Sequence, residues 1–407
     1  MEAQIIEQTE SKKSSHTQPL PDGIWMKAAV AGGLWAAIEI ILGSFLHNLR
    51  MPFAGSTLTF IGLALLISFH RMWPEKGLIW RAGLICALMK SISPSSVILG
   101  PMSGIFFEAL MLEAGIRIAG GRWTGYFLGG ILGMLSTLIH KVISLLILYG
   151  WNIVTIYKNI YYFLARQLRV EGADLWVLLW IVLGTYVLLG ILSALMGMAV
   201  GKRSSAMPGP EANAEPGFRE QASIPEADPA QRFRLRLLFL HVLSLPAGLV
   251  LINFAGIVIS LIFFLLYLTF CVLYYRKSLR RLKKPVFWFQ LFMITLLAAL
   301  FWNGFKFGEG FLSYEGLRIG LEMNLRAVFI VVGFSSLSVE LRNPVIRDFL
   351  FRRGFGKVYM ALRLSFGALP EMIRNMPSPK QFFKSPLSWF ARINRHADEW
   401  LQVFRKY

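Results

Sequence analysis

The sequence is poor in charge and almost free of cysteine. Charged residues make up 16% of its 407 residues, whereas hydrophobic residues make up 55%. A soluble chain of this length would need a larger share of polar surface, so the composition excludes an ordinary soluble globular protein. The two cysteines, Cys86 and Cys271, lie far apart in separate apolar stretches. Their number and positions exclude a disulfide framework and a cysteine-based metal site.

Motifs for nucleotide hydrolysis and zinc chemistry are also absent. The nearest match to a phosphate-binding loop is Gly-Phe-Gly-Lys at 354–357, but Val358 follows it where a magnesium-binding hydroxyl is required. The sequence contains no H-E-x-x-H motif and no nucleophile elbow at a plausible turn. We therefore expect no catalytic residues, no metal site, no cofactor and no ATPase activity in the chain itself.

Long apolar runs dominate the sequence instead. A run of about 20 apolar residues crosses a bilayer as a helix, because lipid offers the backbone no hydrogen-bond partner. The runs are too long for membrane strands and lack clean alternation, so we predict an all-α, polytopic helical membrane protein. It has about ten transmembrane helices, six plus four, followed by cytoplasmic amphipathic helices. The predicted spans are 27–46, 56–69, 78–90, 95–116, 123–149 and 175–200, and then 235–253, 254–275, 286–303 and 315–337.

Composition divides the chain into five regions. Residues 201–234 are rich in proline, mixed in charge and without apolar periodicity, which is typical of a linker. The linker separates a first block of spans from a second block. The five regions are the N-terminal tail at 1–26, the first block at 27–200, the linker at 201–234, the second block at 235–337 and a basic region at 338–407.

The formal net charge of +19 is concentrated in loops and in the C-terminal region. Cytoplasmic loops of membrane proteins carry an excess of lysine and arginine, and the basic loop at 276–284 marks such a loop. An even number of spans on either side of the linker then places both termini and the linker in the cytoplasm. Binding of anionic membrane lipid or of an acidic partner is the alternative explanation of the charge, and we expect no nucleic acid.

Ionisable residues inside the first block are candidates for a substrate site, since charge within a bilayer is costly. Glu39, Lys90, Glu108 and His140 can line one polar pocket, and Asn48 lies in a short outer loop that can close it. Two alternatives remain open. The ionisable residues can be structural ion pairs that lock the helix bundle, and the loop can be a solvated turn.

Small residues recur every four positions on the first predicted span. The two neighbouring rows are Ala28, Gly32 and Ala36, and Ala29, Gly33 and Ala37. Such rows form a flat face that another helix can approach closely. Packing within the first block explains the pattern equally well.

Beyond residue 337 the pattern changes to basic amphipathic segments. Leu362, Phe366, Leu369 and Ile373 fall on one helical face between arginine and lysine residues. Helices of this kind lie on a membrane surface or bind a groove of a partner. From Pro377 onwards we expect a peripheral tail.

These features together resemble an importer of the energy-coupling-factor (ECF) type in which two subunits are fused. The first block is similar in size and span count to the family's S component, which captures the substrate. Its rows of small residues match the place where S components pack against the T component, the transmembrane coupling subunit. The second block and the basic region resemble that T component. The matching segments are GLRIGLEMNLR at 316–326, SSL at 335–337, NPVIRDFL at 343–350, LRLSF at 362–366 and LPE at 369–371.

The resemblance implies partners and residue roles. ATP would be bound by separate ABC-type ATPase subunits, which the helices after the second block would contact. The expected coupling residues are Arg347, Arg352, Arg353, Gly354 and Arg363, and the expected packing face is Ala29, Gly33 and Ala37. The Ala-Arg-Gly-like motifs at the end of the family's second coupling helix, and its final span, have no counterpart here.

The resemblance also bears on the substrate and the location. The metal-transporting branch of the family has histidine directly after the initiator methionine, whereas this chain begins Met1-Glu2-Ala3. We therefore expect a bacterial inner-membrane permease for an organic micronutrient, such as a vitamin or its precursor. The alternatives are a polytopic membrane enzyme acting on a lipid or isoprenoid, and a membrane scaffold that transports nothing.

Overall fold

A computed structural model describes residues 23–48, 53–90, 99–168, 174–205, 235–254, 257–275, 279–303, 313–340, 356–376 and 384–406. Within these ranges the chain forms thirteen α-helices and one short 3-10 helix, Arg280–Lys283, and no strand. The first block contains α1 (Gly23–Asn48), α2 (Ala54–Met72), α3 (Leu78–Lys90), α4 (Leu99–Ala119), α5 (Trp123–Tyr149), α6 (Asn152–Gln167) and α7 (Leu175–Ser205). The second block contains α8 (Leu235–Phe254), α9 (Ile257–Tyr275), α10 (Pro285–Phe301) and α11 (Tyr314–Glu340), and the basic region contains α12 (Gly356–Arg374) and α13 (Pro386–Lys406).

Five of these helices, α1, α2, α5, α7 and α9, are long and apolar enough to cross a membrane. Helices α8 and α10 are apolar but shorter. Helix α3 has 13 residues, and α4 carries Glu108, Glu113 and Arg117 within its length. The all-helical, multi-pass membrane class therefore agrees with the sequence, whereas the total of about ten spans stays a prediction.

Consecutive helices from α1 to α5 run in alternating directions. The Thr59 and Thr137 hydroxyls lie 3.1 Å apart, and His70 Nδ1 lies 3.1 Å from the Tyr126 hydroxyl. These contacts make α2 and α5 antiparallel. We call the end at which α1 begins and α2 and α7 finish the linker end of the first block, and the opposite end its far end.

An amphipathic helix, α6, occupies a stretch in which no helix was predicted. Its buried residues Ile153 and Ile156 pack against the second block. The Asn159 side-chain amide donates to the carbonyl oxygens of Phe301 at 2.7 Å and Trp302 at 3.0 Å. Helix α6 thus satisfies backbone groups at the end of α10 and joins the two blocks.

The second block is a four-helix arrangement that also alternates in direction. Asn324 of α11 donates to the Leu291 carbonyl at 3.1 Å and to the Thr295 hydroxyl at 2.6 Å, both on α10. We call the end at which α8 and α10 begin and α9 and α11 finish the linker end of the second block. Most of the linker itself, 206–234, lies outside the described residues.

The two C-terminal helices fold back onto the linker end of the first block. The Ser365 hydroxyl of α12 donates to the Ala29 carbonyl of α1 at 2.8 Å. Asn394 of α13 accepts from Ser68 at 3.1 Å and donates to Ser204 at 3.1 Å. Helix α13 therefore ties together the ends of α2 and α7.

The tail that we expected to be peripheral contributes to the hydrophobic core. One face of α13 is aromatic, and Trp389, Phe390, Trp400 and Phe404 are each at most 2% exposed. They belong to the same buried cluster as the first-block helices. Burial of a large side chain of this kind is worth about 1.5–3 kcal/mol, so the first block depends on this helix for stability.

Candidate functional site

An ion pair joins two helices in the far half of the first block. Lys90, the last residue of α3, places its Nζ 3.3 Å from Glu39 Oε2 of α1. The Glu39 side chain is 9% exposed and that of Lys90 is 21% exposed. The buried Cys86 thiol lies one turn before Lys90 and close to both charges. Each charge compensates the other inside an apolar bundle, so removal of either leaves a buried charge.

Glu108 of α4 brings a second carboxyl into the same region. The residue is 4% exposed and lies within electrostatic range of Glu39 and close to the Thr59 hydroxyl. Its Oε1 and the indole nitrogen of Trp35 have no hydrogen-bond partner within the described residues. Both atoms face the bare Cα of Gly62, where an added Cβ would lie 2.7 Å from Trp35 Nε1 and 3.1 Å from Glu108 Oε1. A buried donor and a buried acceptor thus remain available for a ligand or for each other.

His140 lies at the edge of this cluster and forms no ion pair or hydrogen bond with the described residues of the cluster. Its ring packs on Gly104, one turn from Glu108, where an added Cβ would lie 3.3 Å from His140 Cδ2. The ring also borders a cavity of about 600 Å³ between the two blocks, together with Ser103 and Gln290. The structure therefore brings Glu39, Lys90 and Glu108 together and places His140 between them and the cavity.

Lys141 belongs to a separate cluster on the other side of α5. Its Nζ donates to Ser56 Oγ at 2.6 Å and to the Tyr186 hydroxyl at 3.1 Å, and those two oxygens lie 2.9 Å apart. Hydroxyl oxygens satisfy the ammonium group here, without an acidic partner among the described residues. This arrangement fits a structural role.

Several predicted site residues fall outside what the structure describes. These are the side chain of Asn48 and the coupling residues Arg347, Arg352, Arg353 and Gly354. Arg363 is described and is exposed on α12. Its guanidinium lies on the part of α12 that does not face α1.

Helix α12 occupies the face of small residues on α1. Ala29 and Ala37 are completely buried, and the Ala29 carbonyl accepts the Ser365 hydrogen bond. A Cβ added at Gly33 would lie 3.1 Å from Met372 Sδ. The small residues of this row, with no side chain at Gly33, therefore let α12 lie close to the α1 backbone.

The second block contains a buried polar network that the sequence reasoning missed. His241 of α8 is fully buried and lies 2.8 Å from the Tyr267 hydroxyl and 3.0 Å from the Tyr275 hydroxyl. Tyr275 in turn donates to Glu340 Oε1 at 2.6 Å. The sequence signal that could have predicted this network was the position of two ionisable residues, His241 and Glu340, near the ends of otherwise apolar runs. The network fixes the end of α11, from which the chain continues to α12.

The two blocks are offset along their helix axes. Tyr149, at the far end of the first block, packs with Phe287, Leu291 and Val331, which lie toward the linker end of the second block. Gly150 follows with a left-handed φ of 72°, and a Cβ there would collide with the Arg326 guanidinium. The far half of α5 therefore lies beside the linker-end half of the second block.

Comparison with known proteins gives no relative: no protein-family model, curated protein or solved structure matches the chain. The residues and contacts described above are thus the basis for a functional interpretation.

Proposed function

We propose that the chain is the fused permease of an ECF-type importer, which binds a small organic micronutrient and couples its uptake to separate ABC-type ATPases. The observation that supports this most is the packing of α12 on α1. The segments at 362–366 and 369–371, which resemble a coupling helix, lie on α12, and α12 lies on the row of small residues at Ala29 and Gly33. This is the contact expected between an S component and the coupling helix of a T component.

The polar cluster in the first block supports a capture site. Glu39, Lys90 and Glu108 come from three helices, and buried hydrogen-bonding atoms remain free beside them. Such groups fix the orientation of a small polar ligand in an otherwise apolar site.

Arg363 is the described residue best placed for a partner subunit. It is exposed on α12, while Ser365 and Met372 on the same helix are buried toward α1. One helix can therefore contact the substrate-binding block on one face and an ATPase on the other. ATP and its magnesium ion belong to that partner, in the bacterial cytoplasm.

Co-purification from the native membrane tests the coupling role. We expect the tagged chain to retain ATPase subunits and the Arg363→Glu variant to lose them. Arg203→Glu is the matched control, because Arg203 is also exposed at the linker end but lies on α7. Deletion of the tail is unsuitable, since α13 is part of the first-block core. If the native chain retains no ATPase, or both variants behave alike, the coupling role is wrong.

Mass spectrometry of ligand released from the purified chain tests the capture role. We expect a bound small molecule, and we expect Glu108→Gln to lose it while Lys141→Met keeps it. Retention of the molecule by Glu108→Gln would make the cluster structural.

The rival function, an enzyme acting on a lipid or isoprenoid, has one supporting observation. Glu39 and Glu108 approach each other from different helices, as paired carboxylates do in acid–base sites. Incubation of the purified chain with prenyl diphosphates and phospholipids separates the two functions. Product formation that Glu39→Gln abolishes would favour the enzyme, whereas ligand release without conversion favours the permease.

A further inference from the structure

A second cavity, of about 440 Å³, opens at the linker end of the first block. The turn between α2 and α3 forms one wall, and the end of α4 forms the other. Its ionisable lining residues are His70, Lys76, Glu113 and Arg117. This cavity lies at the opposite end of the block from the Glu39–Lys90 pair.

Glu113 is held mainly by partners within the first block. Its Oε1 accepts from Arg117 Nε at 2.9 Å and from Arg117 Nη2 at 2.6 Å, and its Oε2 accepts from the Trp80 backbone N–H at 3.0 Å. The residue is 6% exposed. Glu113 therefore holds the Arg117 side chain in place, and the remaining N–H groups of the guanidinium stay available.

His70 contributes a directed donor. The residue is 8% exposed, and its Nδ1 lies 3.1 Å from the Tyr126 hydroxyl. When that hydroxyl donates to Nδ1, the ring proton sits on Nε2, which has no hydrogen-bond partner within the described residues. In this tautomer the buried imidazole keeps one N–H to donate to a ligand in the cavity that His70 lines.

Lys76 adds a cation that makes no ion pair among the described residues. It is exposed at the rim, in the turn before α3. The cavity lining contains two cations, Lys76 and Arg117, and one carboxylate, Glu113. The side chains of the cavity therefore carry a net charge of +1 when His70 is neutral. Lys76 and Arg117 can only donate, and His70 donates in the tautomer described above, so the cavity suits an anion.

The position of the rim points to the membrane interface. Ile118 is 75% exposed and Trp123 is 64% exposed, on either side of the turn between α4 and α5. Exposed tryptophan beside basic residues is typical of the level of lipid headgroups. The Arg122 side chain is exposed at the same turn.

We propose that this cavity binds a phosphate group, supplied by the headgroup of an anionic phospholipid or by a soluble phosphate ester. Lys76 and Arg117 pair with the phosphate oxygens, and His70 Nε2 donates a hydrogen bond to one of them. The site does not depend on the transport function proposed above. The competing explanation is that His70, Lys76 and Arg117 only stabilise the C-terminal ends of α2 and α4, where the helix dipoles are negative.

Native mass spectrometry and thermal unfolding of the full chain in a non-ionic detergent test the site. One arm adds phosphatidylglycerol and, as its control, phosphatidylcholine. The other arm adds glycerol 3-phosphate. Retention of phosphatidylglycerol alone assigns the headgroup as the source, and stabilisation by glycerol 3-phosphate assigns a soluble ester.

Two lysine variants decide whether the cavity is responsible. We expect Lys76→Met to weaken phosphate binding about fivefold, as for the loss of one interfacial lysine, and Lys76→Arg to retain it. Lys202→Met removes an exposed lysine from the same end of the block, on α7, and should leave binding unchanged. Equal effects of Lys76→Met and Lys202→Met, or no binding in either arm, would overturn the proposal in favour of simple helix capping.

Discussion

Two adjacent glycines of α1 face different neighbours, and alanine should affect them unequally. A Cβ at Gly32 would lie 2.6 Å from the Ala82 carbonyl oxygen and 2.9 Å from Ile85 Cβ, which are fixed atoms of α3. A Cβ at Gly33 would lie 3.1 Å from Met372 Sδ, the flexible end of a side chain on α12. Alanine improves helix propensity by about 1 kcal/mol at either site, so the difference between the two variants reports packing alone.

We expect Gly32→Ala to be less stable than Gly33→Ala by about 2 kcal/mol. Overpacking against backbone costs about 1–3 kcal/mol, whereas the flexible Met372 side chain can adopt another rotamer. Unfolding of each variant in mixed micelles, followed by tryptophan fluorescence, measures the difference. Equal stability of the two variants would show that α1 does not lie on α3 and α12 as described.

A double-mutant cycle then isolates the contact between α1 and α12. Leucine at position 33 would overlap the Met372 side chain, and Met372→Ala would make room for it. The two changes should therefore couple by about 1 kcal/mol or more in the unfolding free energy. Additivity within about 0.5 kcal/mol would refute the contact on which the proposed function rests.

Three further predictions concern charged and polar groups. Lys90→Met should destabilise the chain by about 3 kcal/mol because it leaves Glu39 buried without its cation, and adding Glu39→Gln should recover most of that loss in the same unfolding assay. His241→Phe should cost about 1–3 kcal/mol because it removes one hydrogen-bond partner from each of two buried tyrosine hydroxyls, and a preserved midpoint would contradict the network. Burial raises the pKa of the Asp398 carboxyl above its usual range, so the folded state holds its proton more tightly than the unfolded state does. Stability relative to Asp398→Asn should accordingly fall as the pH rises through the raised pKa, and a pH-independent difference would contradict this.

The apolar runs predicted the bounds of some helices directly. The predicted spans at 78–90 and 123–149 coincide with α3 and α5. The apolar runs did not predict α6, because α6 is amphipathic and polar residues interrupt its apolar ones. Its apolar face packs on the second block. The buried face of α13 was missed for the same reason.

The polar contacts were predictable only in part. Charge inside apolar runs singled out Glu39, Lys90 and Glu108, because an ionisable residue in a bilayer needs a partner. The unpaired indole nitrogen of Trp35 could not be predicted, since it depends on how closely Gly62 lets two helices approach. The pairing of His241 with Tyr275 likewise depends on the relative heights of α8 and α9.

The contact between Ser365 and Ala29 spans 336 residues of sequence, and this separation has a consequence for biosynthesis. At a synthesis rate of about 5–20 residues per second, α12 leaves the ribosome roughly 20 to 70 s after the part of α1 that it covers. During that interval the row of small residues on α1 is uncovered in the membrane and open to other helices. A nascent chain that stops before α12 would therefore keep this face of α1 exposed to other membrane helices.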